Sequence, residues 1–268
     1  MNSEFNMLLN QLSREYTNFK KLSIPLIYVG QKNGETYVIK ITNVKDVHTK
    51  DRVTKEIKIL YDLTKDGCID NIICYTNAYM ILTYAILVTK FINGNDLIDI
   101  IYDLTDLSQC INICKQIAYV IKYIHDKRII HRDIKLDNIR YDNGKIILLD
   151  FGYACYEDEC LNDIRGTLNY IAPEVLTKNI KNHKATDIYS LGITFYTILS
   201  KQYPYPDDQS YTKSVIDVTI KPTILNINNH DNIPNIDTLL IPLIMTMISK
   251  NPSTRPTIDE VIDVLNRF

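Results

Sequence analysis

The chain has no tryptophan, no internal repeat, no low-complexity tract and no Pro/Gly-rich linker. Solenoids and strings of tethered domains are therefore not expected. No apolar run reaches the length that spans a bilayer, and the opening MNSEFNMLLNQLSREY carries polar residues throughout, unlike a secretory leader. Excess positive charge is also lacking. Lys and Arg number 30 against 32 Asp and Glu, a net charge of -2, which gives no reason to expect a general nucleic-acid binder. Six cysteines occur, at positions 68, 74, 110, 114, 155 and 160, but none forms a C-x-x-C pair. Free thiols in a reducing compartment, cytoplasm or nucleus, are the expectation.

What is present suits one globular enzyme: 268 residues, 46% hydrophobic and 23% charged. Ile, Asn, Lys and Tyr are abundant, a bias that points to AT-rich coding of the kind large DNA viruses carry. Residues 26–29 and 36–41 read as strands joined by a turn at Lys32-Asn33-Gly34-Glu35. Residues 51–63 place Val53, Ile57, Leu60 and Leu63 at helical spacing, and 86–88 read as a buried strand. After a turn at 93–96 the chain becomes helical, with helices expected at 108–126, 185–200, 236–249 and 257–268. Met7, Leu8 and Leu12 suggest a short additional helix. Asn143-Gly144 marks a hairpin that sets Asp150 at a strand end. Strands followed by helices imply an α+β protein with its site between two parts.

The densest chemistry lies in His131-Arg132-Asp133-Ile134-Lys135-Leu136-Asp137-Asn138, followed by Asp150-Phe151-Gly152. Phosphoryl transfer needs a group for the hydroxyl proton, charge over the moving phosphate and oxygens for a metal. Taken singly, each residue has a plainer reading: a turn-capping Asp133, a loop Lys135, a turn Asn138, a strand-end Asp150. Lys40, ending Tyr37-Val38-Ile39-Lys40, reads alone as a solvated strand lysine, and Glu56 as a surface helix residue. Together and in order, these motifs closely resemble the eukaryotic-type serine/threonine protein kinase family.

That resemblance implies a two-lobed kinase fold: a single domain over 1–268 with a mainly β lobe (1–91) holding one helix, and a mainly α lobe (92–268). It implies ATP and magnesium as cofactors and a protein hydroxyl as substrate, on a monomer that binds neither nucleic acid nor membrane. Asp133, Lys135, Asn138 and Thr167 are the candidate catalytic residues. Asp133 would orient or deprotonate the hydroxyl, and Lys135 would touch the γ-phosphate, a serine/threonine-class feature. Lys40 paired with Glu56 would hold the nucleotide phosphates, and Asn138 and Asp150 the metal. Thr89 falls at the gatekeeper position, Phe91 in the hinge, and Asp96 either at the ribose or simply in a turn. Gly166–Glu174, Asp187–Gly192 and Asn251–Pro256 resemble further family segments, with Tyr189 where Trp is usual and Asn251 where Asp is usual. By resemblance, Arg255 would pair with Glu174 and Asp187 would brace the catalytic loop.

Two departures stand out. The glycine-rich phosphate lid is missing, replaced by Ser23-Ile24-Pro25-Leu26. A short turn and a weaker grip on nucleotide are expected, because no glycine lets backbone N–H groups approach phosphate there and Pro25 has no N–H. The second is Asp163, four positions before Thr167, where an activating phosphothreonine is common in the family. It would either pair with Arg132 in the phosphate's place or sit solvated in a loop. Asp207 and Asp208 lie where substrate charge preference would be set.

Overall fold

The computed structural model describes residues 3–205, 211–216, 222–227 and 233–268. They form two compact units, one ending at Asn93 and the other beginning at Gly94. Asp207 and Asp208 lie outside the described residues.

The first unit runs α1 (Ser3–Glu15), β1 (Thr17–Lys21), β2 (Ile27–Lys32), β3 (Glu35–Asn43), α2 (Val47–Thr64), β4 (Tyr75–Ile81) and β5 (Tyr84–Lys90). Its strands make one antiparallel sheet in the order β1-β2-β3-β5-β4. Asn33 and Gly34 both take positive φ, 54° and 82°, the backbone that a two-residue hairpin turn with right-handed strand twist demands. β5, aliphatic or β-branched from Ala85 to Thr89, is buried from Tyr84 to Thr89 and pairs with β3 near the sheet's centre. α1 covers part of this sheet. Leu8 and Leu12 are completely buried and join Tyr16, Tyr28, Ile39, Ile41, Tyr84, Ile86 and Val88 in one core. The approach is so close that a Cβ on Gly30 would stand 2.7 Å from the Tyr16 Cβ. α2 starts at Val47, earlier than its apolar spacing shows, because Asp46 caps it by accepting from the Thr49 N–H at 2.8 Å.

β1 and β2 are joined by a short turn. The Leu22 N–H donates to the Ile27 carbonyl at 2.9 Å, and Leu26 adopts φ 60°.

The second unit comprises β6 (Asn95–Asp96), α3 (Leu97–Ile100), α4 (Leu107–Asp126), β7 (Ile129–Ile130), β8 (Ile139–Asp142), β9 (Lys145–Leu148), β10 (Cys155–Tyr156), α5 (Pro173–Leu176), α6 (His183–Ser200), α7 (Tyr211–Ile216), α8 (Ile241–Met247) and α9 (Ile258–Leu265). α6 is the core helix, buried on every side from Ala185 to Leu199. Two small sheets, β6-β8-β9 and β7-β10, lie among the helices. The expected helix at 236–249 is split into a π-helical turn over Ile236–Leu240 and then α8, with Pro242 in its first turn. A proline there loses no helical hydrogen bond, which permits the new start.

The cysteines require a correction. Cys110 and Cys114 are free and buried, as expected, but the other four are not free. Cys68 bonds Cys74, and Cys155 bonds Cys160, with Cα separations of 5.2 and 5.4 Å. Chain reversal after α2 and after β10 brings each pair into bridging range. Spacings of six and five residues carry no such signature in the sequence.

Candidate active site

In the first unit, β3 presents Lys40 and α2 presents Glu56. Lys40 Nζ lies 2.6 Å from Glu56 Oε1, and the glutamate side chain is only 3% exposed. A buried carboxylate needs such a cation, so each side chain fixes the other. Thr89 is buried on β5 opposite Val38 of β3. Phe91, just beyond β5, is half-buried, and its N–H donates to the Thr36 carbonyl at 3.0 Å. Neighbouring Lys90 is exposed.

In the second unit, four predicted residues meet directly. The Thr167 hydroxyl donates to Asp133 Oδ1 at 2.7 Å and accepts from Lys135 Nζ at 2.8 Å. Asn138 Nδ2 donates to Asp133 Oδ2 at 3.0 Å and to the Asp133 carbonyl at 2.9 Å. Lys135 Nζ is itself 3.5 Å from Asp133 Oδ2. These contacts hold the Asp133 carboxylate in one orientation beside a cation. A tight helical turn over Leu136–Asn138 aims the amide inward. The Leu149 N–H then donates to the Asn138 carbonyl at 2.9 Å, which sets Asp150 beside Asn138 at the exit of the β8–β9 hairpin. Asp150 Oδ1 accepts from the Gly152 N–H at 2.9 Å. Because both Asn138 side-chain bonds use its nitrogen, Oδ1 is the oxygen left for a hard cation. One amide oxygen and one carboxylate fit magnesium, which takes few protein ligands and completes its shell with water and phosphate.

Beneath this loop, Asp187 of α6 accepts from three donors. The backbone N–H groups of His131 and Arg132 each lie 2.8 Å away, and His125 Nε2 lies at 2.9 Å. Burial pushes the Asp187 carboxyl up, but the His125 hydrogen bond and the nearby histidines outweigh it, leaving its pKa below the ordinary value. Arg132 adopts φ 69°, a left-handed conformation that this clamp holds. His125 was not foreseen. Its only sequence signal is its place in the last turn of α4, six residues before His131.

The segment after Gly152 returns to the same loop. Asp163 is held by Arg132 Nη2 on one oxygen and by Arg165 Nε at 2.7 Å on the other. Burial raises its pKa, but the two guanidinium groups overcome this and hold it below the usual carboxylate value. Arg255 makes a two-pronged pair with Glu174 at 2.6 and 2.8 Å, and its guanidinium lies 4.8 Å from the Tyr189 ring centroid. Tyr189 thus supplies the aromatic face for that cation.

Asp96 pairs with Arg140 on the neighbouring strand, its Oδ1 accepting from Nη2 at 2.7 Å and Nε at 3.0 Å. The two lie opposite each other in the ladder, half-buried, while Ile139, Ile146 and Leu148 of the same sheet are fully buried. The sequence carried no turn or motif signal for Arg140.

A family model described as protein kinase domain matches residues 26–264. A serine/threonine-protein kinase of Acanthamoeba polyphaga mimivirus is 40% identical over 176 residues, covering 62% of this chain and 60% of that protein. Calcium-dependent protein kinase 27 of Arabidopsis thaliana is 30% identical over 255 residues, 87% of this chain and 50% of its own length. Calcium-dependent protein kinase 5 of Plasmodium falciparum is 32% identical over 185 residues, 66% of this chain and 32% of its own. The chain thus spans less than two thirds of each of these relatives.

Proposed function

Because this chain belongs to the protein kinase domain family, we propose that it is a serine/threonine protein kinase transferring the γ-phosphate of ATP to a protein hydroxyl. The observation that carries this reading is the hydrogen-bonded set Asp133–Thr167–Lys135. Asp133, locked in place by Thr167 and Asn138, orients the incoming hydroxyl and accepts its proton. Lys135 stands beside it as a fixed cation for the charge on the transferred group. Lys40, steadied by Glu56, grips the nucleotide phosphates. Asn138 and Asp150 would hold magnesium, which when bound supplies the charge that screens the phosphates. Catalysis is then mainly positioning and electrostatics.

Asp163 extends the reading to control. Its carboxylate already occupies Arg132, so the segment needs no phosphate to be ordered. We further infer a monomer acting on protein substrates in the cytoplasm. No helix among the described residues is long and apolar enough to cross a membrane. The rival reading is a catalytically silent regulator, favoured by the short turn at 22–27.

Peptide mixtures with serine, threonine or tyrosine as the sole acceptor, offered with γ-labelled ATP, test the proposal. Label on serine or threonine from the wild type, absent with Asp133→Ala, is expected. Equal background from both proteins refutes the enzyme reading.

A further inference from the structure

The Cys155–Cys160 bridge sits at the root of the segment that carries Asp163. Cys155 is 2% exposed and anchored in β10 opposite Ile130, two residues before Arg132. Cys160 is half-buried and three residues before Asp163. The bridge therefore ties a fixed strand to the start of the stretch leading to Thr167. Arg132 touches one end of that tie and the chain just past the other: Nη1 donates to Cys155 Sγ at 3.6 Å, and Nη2 binds Asp163, three residues after Cys160. Past Asp163 the chain presses on the catalytic loop. Gly166 runs at φ 117°, where a Cβ would stand 2.8 Å from the Arg132 carbonyl oxygen, and Thr167 bonds Asp133.

We propose that Cys155 and Cys160 form a redox modification site, where exchange with a small-molecule disulfide sets how firmly Asp163 is held on Arg132. Its effect on phosphate transfer rests on the kinase reading above. In the reduced chain the Cys160 thiolate, the more accessible, attacks one sulfur of a disulfide RS–SR and expels RS⁻. The Cys155 thiolate then attacks Cys160 Sγ in the mixed disulfide and expels the second RS⁻. The two cysteines lose two electrons and two protons; RSSR gains both and leaves as two RSH. Closing the bridge removes conformational freedom from residues 155–160, so less chain must be ordered for Asp163 to find Arg132. The remaining thiols do not compete. Cys110 and Cys114 are buried, and burial pushes both thiols up, away from the reactive thiolate. A cytoplasmic setting agrees with a reversible bridge, since disulfides there are mostly transient or redox-sensing.

The test uses the chain carrying Cys68→Ser and Cys74→Ser, poised in reduced and oxidised glutathione, with bridge formation counted by alkylation and mass. Amide exchange over residues 161–167 and the initial rate of phosphate transfer are measured in both states. Oxidation is expected to slow exchange there and raise the rate at least about fivefold, the low end of ordinary coupling between sites. Asp163→Ala in the same background still forms the bridge but loses the rate difference. Identical exchange in the two states overturns the inference, whatever the activity. Redox-dependent exchange without transfer in either state supports the modification site and refutes the kinase reading instead. If the serine substitutions unfold the chain, the same measurements on the unsubstituted protein decide, with peptide mapping to count each bridge separately.

Discussion

Asp133 has a carboxylate whose two oxygens are held by different neighbours, Thr167 on one and Asn138 on the other. Such locking predicts that Thr167→Ala lowers kcat with little change in the KM for ATP, measured by steady-state kinetics, since it removes the hold on Asp133 Oδ1 and leaves Lys40 and Glu56, the proposed grip on the nucleotide, untouched. A tenfold or larger fall is expected, about 1.4 kcal/mol of barrier. Equal losses in kcat and in ATP affinity would assign Thr167 elsewhere. Arg140 makes a second residue-scale case, with two hydrogen bonds placed on Oδ1 of Asp96. Each motif residue was legible because its chemistry demands a type and a spacing. Arg140, His125 and the two bridges were not, because their partners lie 44, 62, 6 and 5 positions away with no local pattern.

At the scale of elements, β2, β3 and β5 and the helices α1, α2, α4, α6 and α9 followed from turn signals and apolar spacing, whereas β4 was not among the expected strands. α2 began earlier than its apolar stripe because Asp46, not a hydrophobic residue, sets its start. The 236–249 stretch broke because periodicity does not register the shift from π to α winding. α1 is the element with the clearest energetic consequence. Leu12 is fully buried in the sheet core, so Leu12→Ala should cost about 2–5 kcal/mol of unfolding free energy in a denaturant titration. A change below about 0.5 kcal/mol would mean α1 is not docked as described. The catalytic loop carries its own acid sensitivity. Burial holds His131 below its ordinary 6.5, and its Nδ1 accepts the Asp133 N–H at 3.3 Å, which an imidazolium could not do. Below pH 6.5 the unfolded chain takes a proton that the folded chain refuses, so this contribution to stability is whole above 6.5 and declines as pH falls. Melting temperatures from pH 7.5 to 5.5 should drop, and His131→Phe should flatten the drop.

Over the whole molecule, the family resemblance reached most of the chain because its segments are spread from Lys40 to Arg255. The buried pair of Arg255 and Glu174 joins two of them, 81 residues apart. Removing one partner strands the other without water, so Arg255→Ala should destabilise the protein by about 3–5 kcal/mol. The missing lid and the Asp163–Arg132 pair pull the proposed function in opposite directions: the first is expected to loosen the nucleotide, the second to preset the substrate side. The central claim is that this chain turns over as it folds, without an activating phosphate. Its most direct test is the initial rate of phosphate transfer to serine/threonine peptides by protein whose intact mass shows no phosphate, measured beside Asp133→Ala. The account predicts immediate, linear transfer from the unphosphorylated chain and a loss of about a hundredfold or more in the variant. A lag that ends only as phosphate accumulates on the protein, or equal rates from both proteins, would contradict it.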